Sequence, residues 1–274
     1  MKKILSKMSF YALISVLIIY TIAPFLWLVI SSFKPQQELL SVPPLLPVNP
    51  TLDNYRSVFE LLPFGQFLLN SAIVATVTTT LCLVIGALGA YALARLNFWW
   101  KSLALMSVLS ISMFPQIATV TPLFVMIRKS GIFNTYWALI IPYATFALPL
   151  TLWILTSFFQ KIPQELERAA LIDGLSRFEI LRKIYIPLAG PALATTGIMV
   201  FIACWNEFLF ALCFTSSELA RTVPVGITLY EGQYHQPWGE VSAASVLVSI
   251  PLVCLMFFFQ RRILSGLTAG AVKQ

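Results

Sequence analysis

Charged and polar side chains are scarce in this sequence, and those able to do chemistry gather in two places. The first is Pro163–Pro187, PQELERAALIDGLSRFEILRKIYIP, with Glu165, Glu167, Arg168 and Asp173 followed by Arg177, Glu179, Arg182 and Lys183. Mixed charges at helical spacing suit contacts with a partner surface, and no nucleophile–base pair accompanies them. The second is Trp205-Asn206-Glu207-Phe208, an amide and a carboxylate at the edge of an apolar run. A carboxylate there must face water, pair within a bundle or take up a proton. A structural hydrogen-bond role and a place beside a cavity both satisfy that demand. The only histidine, His235, lies in the polar stretch 216–240 without an evident acid or nucleophile. Cys82, Cys204, Cys213 and Cys254 show no CxxC or Cys/His spacing, so no metal site is expected. No GxxxxGK[ST] stretch is present to cradle a nucleotide. The chain is therefore expected to have no catalytic residues and no cofactor of its own.

The elements that must position these residues are set by hydropathy. The 274 residues are 58% hydrophobic and only 11% charged, which excludes an ordinary soluble domain and disorder. Six runs are long enough for the roughly 20 residues with which a helix crosses about 30 Å of hydrocarbon. The expected spans are 8–33, 70–94, 102–127, 137–160, 188–213 and 241–260. Backbone groups cannot go unpaired in lipid, and the runs are too long and too continuous for barrel strands. The reading is an all-α membrane protein in which residues 1–274 form a single transmembrane domain, with a polar loop over 161–187.

Lysine and arginine set the orientation. With the N-terminus inside, thirteen lie on the cytoplasmic side, whereas Lys34, Arg56, Arg128, Lys129 and Arg221 lie outside. This bias predicts two cytoplasmic termini and places 161–187 inside. The net charge of +7 then reports topology and is not a nucleic-acid footprint. The N-terminal run continues to about Phe33 without a small-x-small cleavage site, so an uncleaved first span is expected.

Within that frame, the prolines of Lys34–Glu60 predict an extended or turn-rich outer linker. Gly86 and Gly89 predict close helix packing of the second span. Pro115 and Pro122 in the third span, and Pro142 and Pro149 in the fourth, suit either irregular packing or kinked helices lining a pathway. In the polar loop, Pro163 suits a first helical turn and Glu165 and Glu167 complement its dipole. Leu166, Ala169, Ala170 and Ile172 supply a narrow apolar face, and Gly174 is the expected stop. Ser176-x-x-Glu179 is a capping box opening a second helix. Such a pair could lie at the membrane surface or insert as a knob into a soluble partner; the acidic residues of the first helix argue against adsorption to anionic lipid.

The paired alanines Ala169-Ala170, Asp173-Gly174 and Ile186-Pro187-Leu188 resemble the cytoplasmic signature of permease subunits of bacterial ABC importers. Trp205-Asn206-Glu207-Phe208 and the tail Gly266–Lys273 resemble the carbohydrate-uptake branch, of the maltose-system type. Arg168 stands where that signature usually has glutamate, and Leu175 where alanine is common. The resemblance implies the binding-protein-dependent permease fold in an inner membrane. It also implies a second homologous permease subunit, two cytoplasmic ATPases holding ATP and Mg, and an extracytoplasmic solute-binding protein delivering a sugar or polyol. Glu165, Leu166, Glu167, Arg168, Ala169, Ala170, Asp173 and Gly174 would then couple to the ATPase, and Trp205, Asn206 and Glu207 would border the pathway or its gate. The contrasting readings are a secondary transporter or channel, and a structural membrane subunit, neither coupled to ATP.

Overall fold

A computed structural model describes the backbone of residues 2–40, 44–230 and 237–271, and the side chains of 7–40, 44–230 and 237–260. His235 and the side chains of the Gly266–Lys273 tail lie outside the described residues. Every regular element among the described residues is helical. Four helices are long and apolar enough to cross a membrane: α1 (Lys2–Ser32), α4 (Phe64–Arg95), α7 (Trp137–Lys161) and α14 (Trp238–Ala271). The shorter helices α2 (Gln36–Leu40) and α3 (Asp53–Leu61) occupy the proline-rich linker, which the sequence alone reads as extended or turn-rich.

Two of the expected spans are not continuous. The run 102–127 is divided into α5 (Lys101–Ile111) and α6 (Gln116–Lys129), bent by 92°. Pro115 sits at the break with extended backbone, as its ring and missing N–H require. Pro122, Pro142 and Pro149 lie inside α6 and α7, which continue through them. The run 188–213 is likewise divided into α11 (Gly190–Trp205) and α12 (Leu209–Phe214), with Asn206 ending the first. Before α11 come α8 (Gln164–Ile172), α9 (Arg177–Ile180), a π-helical turn over Leu181–Tyr185, and α10 (Ile186–Leu188). A bend of 80° separates the Arg177–Leu188 stretch from α11. After α12 comes α13 (Val223–Thr228).

The chain forms two compact units, one of residues 1–65 with 226–251, the other of 66–225 with 252–274. In the first, Asn54 closes the end of α1: its Nδ2 donates to the carbonyls of Ser32 and Lys34, both at 2.8 Å. Those carbonyls have no intrahelical partner, so one buried amide satisfies two terminal acceptors. Tyr230 donates to the Val58 carbonyl at 2.5 Å and ties the second sequence segment to α3. Along most of α1, large apolar side chains such as Phe10, Val16 and Tyr20 are exposed. That surface needs lipid or another protein to cover it.

The second unit is organised by small residues. A Cβ on Gly86 would stand 2.5 Å from Thr151 Cγ2, and one on Gly89 would stand 2.6 Å from Leu152 Cδ2. Helices α4 and α7 therefore approach as closely as missing side chains permit. At the other end of α4, Asn70 Nδ2 donates to the carbonyls of Glu218 and Arg221 at 2.9 and 2.8 Å. Its Oδ1 accepts from Gln66 and Tyr136, both at 2.8 Å. Asn134, with φ of 61°, accepts from the Ser216 and Ser217 amides and joins the same 216–221 stretch to the start of α7.

Gly86→Leu should overpack the α4–α7 contact and cost about 1–3 kcal/mol. Its thermal unfolding midpoint in detergent should fall clearly below wild type. Gly65→Ala, where a Cβ meets nothing within 4 Å, should not lower the midpoint and serves as the control.

Candidate functional site

The segment 162–187 is built by local rules. Pro163 occupies the N-cap of α8, one residue before the first turn, with extended backbone. Gly174 has φ of +83° and ends α8: its N–H donates to Leu171 O at 3.1 Å, and the Leu175 N–H to Ala170 O at 3.0 Å. This pair of bonds satisfies two terminal carbonyls, and the left-handed backbone favours glycine. Ser176 then caps α9. Its Oγ accepts from the Glu179 N–H at 3.4 Å, and Glu179 Oε2 accepts from the Ser176 N–H at 3.0 Å. The Ser176 amide, followed by Lys183 3.0 Å from the other carboxylate oxygen, holds Glu179 down at about 2, well below its ordinary range.

Glu167 is the centre of the segment. The residue is 8% exposed and its carboxylate is fully engaged within the chain. Tyr91 donates to Oε1 at 3.0 Å and Tyr185 to Oε2 at 2.9 Å. Arg95 Nε lies 3.8 Å from Oε2 and Arg177 Nη1 3.7 Å from Oε1. Arg95 also donates from Nη2 to the carbonyls of Phe159 (2.6 Å) and Ile162 where α7 ends. The rings of Tyr91 and Phe159 meet Tyr185 edge-on at 5.0 and 5.3 Å. Burial, followed by the bond to Glu167, pushes the Tyr185 hydroxyl above its ordinary value. Four elements, α4, α7, α8 and the π-helical turn, thus meet around one carboxylate, with Arg177 of α9 beside it.

The remaining residues of the segment divide by face. Ala170 is buried in the cluster with Ala87, Leu155, Ile180 and Leu181. Ala169 and Ala170, adjacent in sequence, therefore point apart, and the narrow apolar face read from sequence is split. Glu165, Leu166, Arg168, Ala169, Asp173 and Gly174 are exposed. So are Ile172 and Phe178, at 86% and 64%. Large apolar side chains beside mixed charge give this surface the makeup of a protein contact.

The second candidate site is a cavity of about 150 Å³ lined by Gln116, Tyr143, Phe146, Met199, Glu207 and Phe210 among others. Glu207 reaches it from the break between α11 and α12. Its Oε1 accepts from the Phe210 N–H at 2.8 Å and its Oε2 from the Ala211 N–H at 3.2 Å. The carboxylate therefore closes the start of α12, where unpaired donors and the helix dipole favour negative charge. Trp205 is buried and stacks on Phe201 at 5.6 Å. Asn206 is exposed and donates to Ile202 O at 2.9 Å, outside the cavity lining. Of the three sequence-predicted residues, Glu207 alone lines the cavity. Nothing in the sequence distinguishes Tyr143 or Gln116, a common aromatic and an isolated amide inside apolar runs. Among the described residues no cluster of His, Cys, Asp or Glu could hold a metal ion.

Residues 83–268 match the family model described as binding-protein-dependent transport system inner membrane component. The chain is 48% identical over 253 residues to the trehalose/maltose transport system permease protein MalG of Thermococcus litoralis, covering 91% of each. It is 42% identical over 270 residues to the trehalose transport system permease protein SugB of Mycobacterium tuberculosis, covering 97% and 98%. It is also 42% identical over 261 residues to the sulfoquinovosyl glycerol transport system permease protein SmoH of Agrobacterium fabrum, covering 94% and 91%. Its fold matches a chain of a bacterial ABC transporter that imports alginate, with TM-score 0.82 at 21% identity over 94% and 96% of the two chains. The chain belongs to the family of binding-protein-dependent transport system inner membrane components and is a permease subunit of an ABC importer.

Proposed function

We propose that this chain forms one half of the membrane pathway of a sugar or polyol importer, with residues 161–187 as the cytoplasmic segment through which ATPase motion enters. The observation that carries the reading is the division of α8: Glu167 and Ala170 fasten it to the bundle, while Leu166, Ala169, Ile172 and nearby Phe178 remain exposed. A segment rigidly held on one face and apolar on the other can transmit displacement without changing its own shape. Six spans follow if α5 with α6, and α11 with α12, each cross once, and both termini are then cytoplasmic; the two compact units serve one permease domain. The partners are a related permease subunit, two ATPases that hold ATP and Mg, and an extracytoplasmic solute-binding protein. The sugar or polyol class is drawn from the disaccharide and glycosylated-glycerol systems to which the chain is similar. Uptake requires two conformations with different contact energies for solute and ATPase, which ATP binding shifts.

Membrane vesicles containing the chain alone should take up no solute, and ATP-dependent uptake should appear when ATPase, second permease and binding protein are added. Robust uptake by the chain alone would overturn the importer assignment in favour of a secondary transporter or channel. Normal uptake without the chain would make it a structural subunit.

The two faces of α8 should separate experimentally. Leu166→Glu and Phe178→Glu should insert and fold normally while lowering ATPase co-purification about tenfold or more, as loss of a buried interface anchor does. Glu167→Ala should instead destabilise the permease itself by about 3–5 kcal/mol, because it leaves buried Arg95 without its carboxylate. A lower unfolding midpoint for Glu167→Ala, unchanged in the two surface variants, is the expected pattern.

Trp205, Asn206 and Glu207 form the proposed gate region, with Glu207 at the cavity. Glu207→Gln should alter solute uptake more than Asn206→Ala, since Glu207 alone lines the cavity and caps α12. Unchanged transport kinetics in both variants would remove the gate from this site.

A further inference from the structure

A second cavity, of about 280 Å³, opens between α4, α5, α8 and α9. Its wall carries Arg95, Asn97, Lys101, Glu167, Arg168 and Arg177. Four cations thus surround one carboxylate. That carboxylate is already taken by two tyrosine hydroxyls and two guanidiniums. Among the described residues, Lys101 and Arg168 make no ion pair, and Arg168 reaches only Gln164 Oε1 at 3.5 Å. Arg95 Nε is buried without a hydrogen-bond partner, its side chain 3% exposed. The cavity therefore holds surplus positive charge and unsatisfied donors, a combination that calls for an oxyanion.

We propose that this cavity binds a phosphate oxyanion, supplied by the headgroup of an anionic phospholipid in the cytoplasmic leaflet. Two of its walls, α4 and α5, are apolar helices, and basic pockets between membrane helices suit such headgroups. Immediately before Lys101 stand Trp99 and Trp100, 93% and 51% exposed, with Phe98 packed against Trp100 at 5.0 Å. Exposed tryptophans of this kind settle at the lipid headgroup level. A free phosphate ion would use the basic residues but leave these aromatics without a role. The bound headgroup would rest on the side of α8 that Glu167 fastens, so leaflet composition would bear on the stiffness of the coupling segment. The proposal rests on the cytoplasmic placement of residues 161–187 argued above.

The test uses the transporter purified with its co-expressed partner subunits, its retained lipid measured by native mass spectrometry. Phosphatidylglycerol should be retained over phosphatidylcholine. Lys101→Gln should lower that retention about fivefold, the effect of one basic side chain at an anionic surface. Lys101→Arg should restore it, and excess inorganic phosphate should not displace it. Displacement by inorganic phosphate would overturn the lipid source in favour of the free ion. Equal retention in wild type and Lys101→Gln would overturn the site. If Lys101→Gln instead lowers ATPase recovery equally in both lipids and leaves phosphatidylglycerol bound, the cavity receives an acidic side chain of the ATPase. Failure of the wild-type chain to recover ATPase at all would overturn the coupling assignment alone, since lipid retention is scored separately.

Discussion

The second unit depends on a single buried carboxylate. Glu167 brings a negative charge out of water, which is costly unless every oxygen finds a donor. Tyr91, Tyr185, Arg95 and Arg177 supply those donors from α4, the π-helical turn and α9. Arg95 in turn closes the end of α7. Tyr91, Tyr185 and Arg95 would themselves be buried polar groups short of a partner without that carboxylate, so their elements hold their places together. An apolar side chain at 167 could fill the volume, but it could not specify which hydroxyls and guanidiniums meet.

Close helix approach and buried polar contacts divide the work along α4. Gly86 and Gly89 bring α7 within van der Waals reach, where dispersion and shape fix the distance. Asn70 and Tyr91 then fix rotation and axial position, one through carbonyls of the 218–221 stretch and the other through Glu167. Packing alone would allow the helix to slide; directional bonds at two levels prevent it.

Much of this was legible in residue order because its causes are local. Charge-free runs gave the long helices, Gly174 the end of α8, and Ser176 with Glu179 the start of α9. The paired glycines announced a close contact, though not with Thr151 and Leu152. What could not be read depends on distant partners. Nothing near Glu167 says that it turns inward, since Tyr91 lies 76 residues before it. Pro115 marked one break but not its 92° bend, and at the other the polar Asn206 and Glu207 did not announce that a carboxylate would cap a new helix. Pro142 and Pro149 lie within one unbroken helix, so proline alone does not tell a break from a continuing span. Asn70 and Asn134 look like ordinary polar residues until their carbonyl and amide partners are seen.

The π-helical turn has a consequence for phase. The Ile186 N–H reaches Leu181 O, five residues back, so the turn holds one residue more than an α-helical path would use. Each α-helical residue advances the chain by about 100°. Were the same residues wound as ordinary α-helix, Tyr185 and all that follows would stand about one residue's rotation further round against what precedes. The hydroxyl that reaches Glu167 would swing off its acceptor, although every side chain type needed for the contact would still be present. The width of this short turn is therefore as exacting as residue identity, because it brings Tyr185 into phase with Glu167.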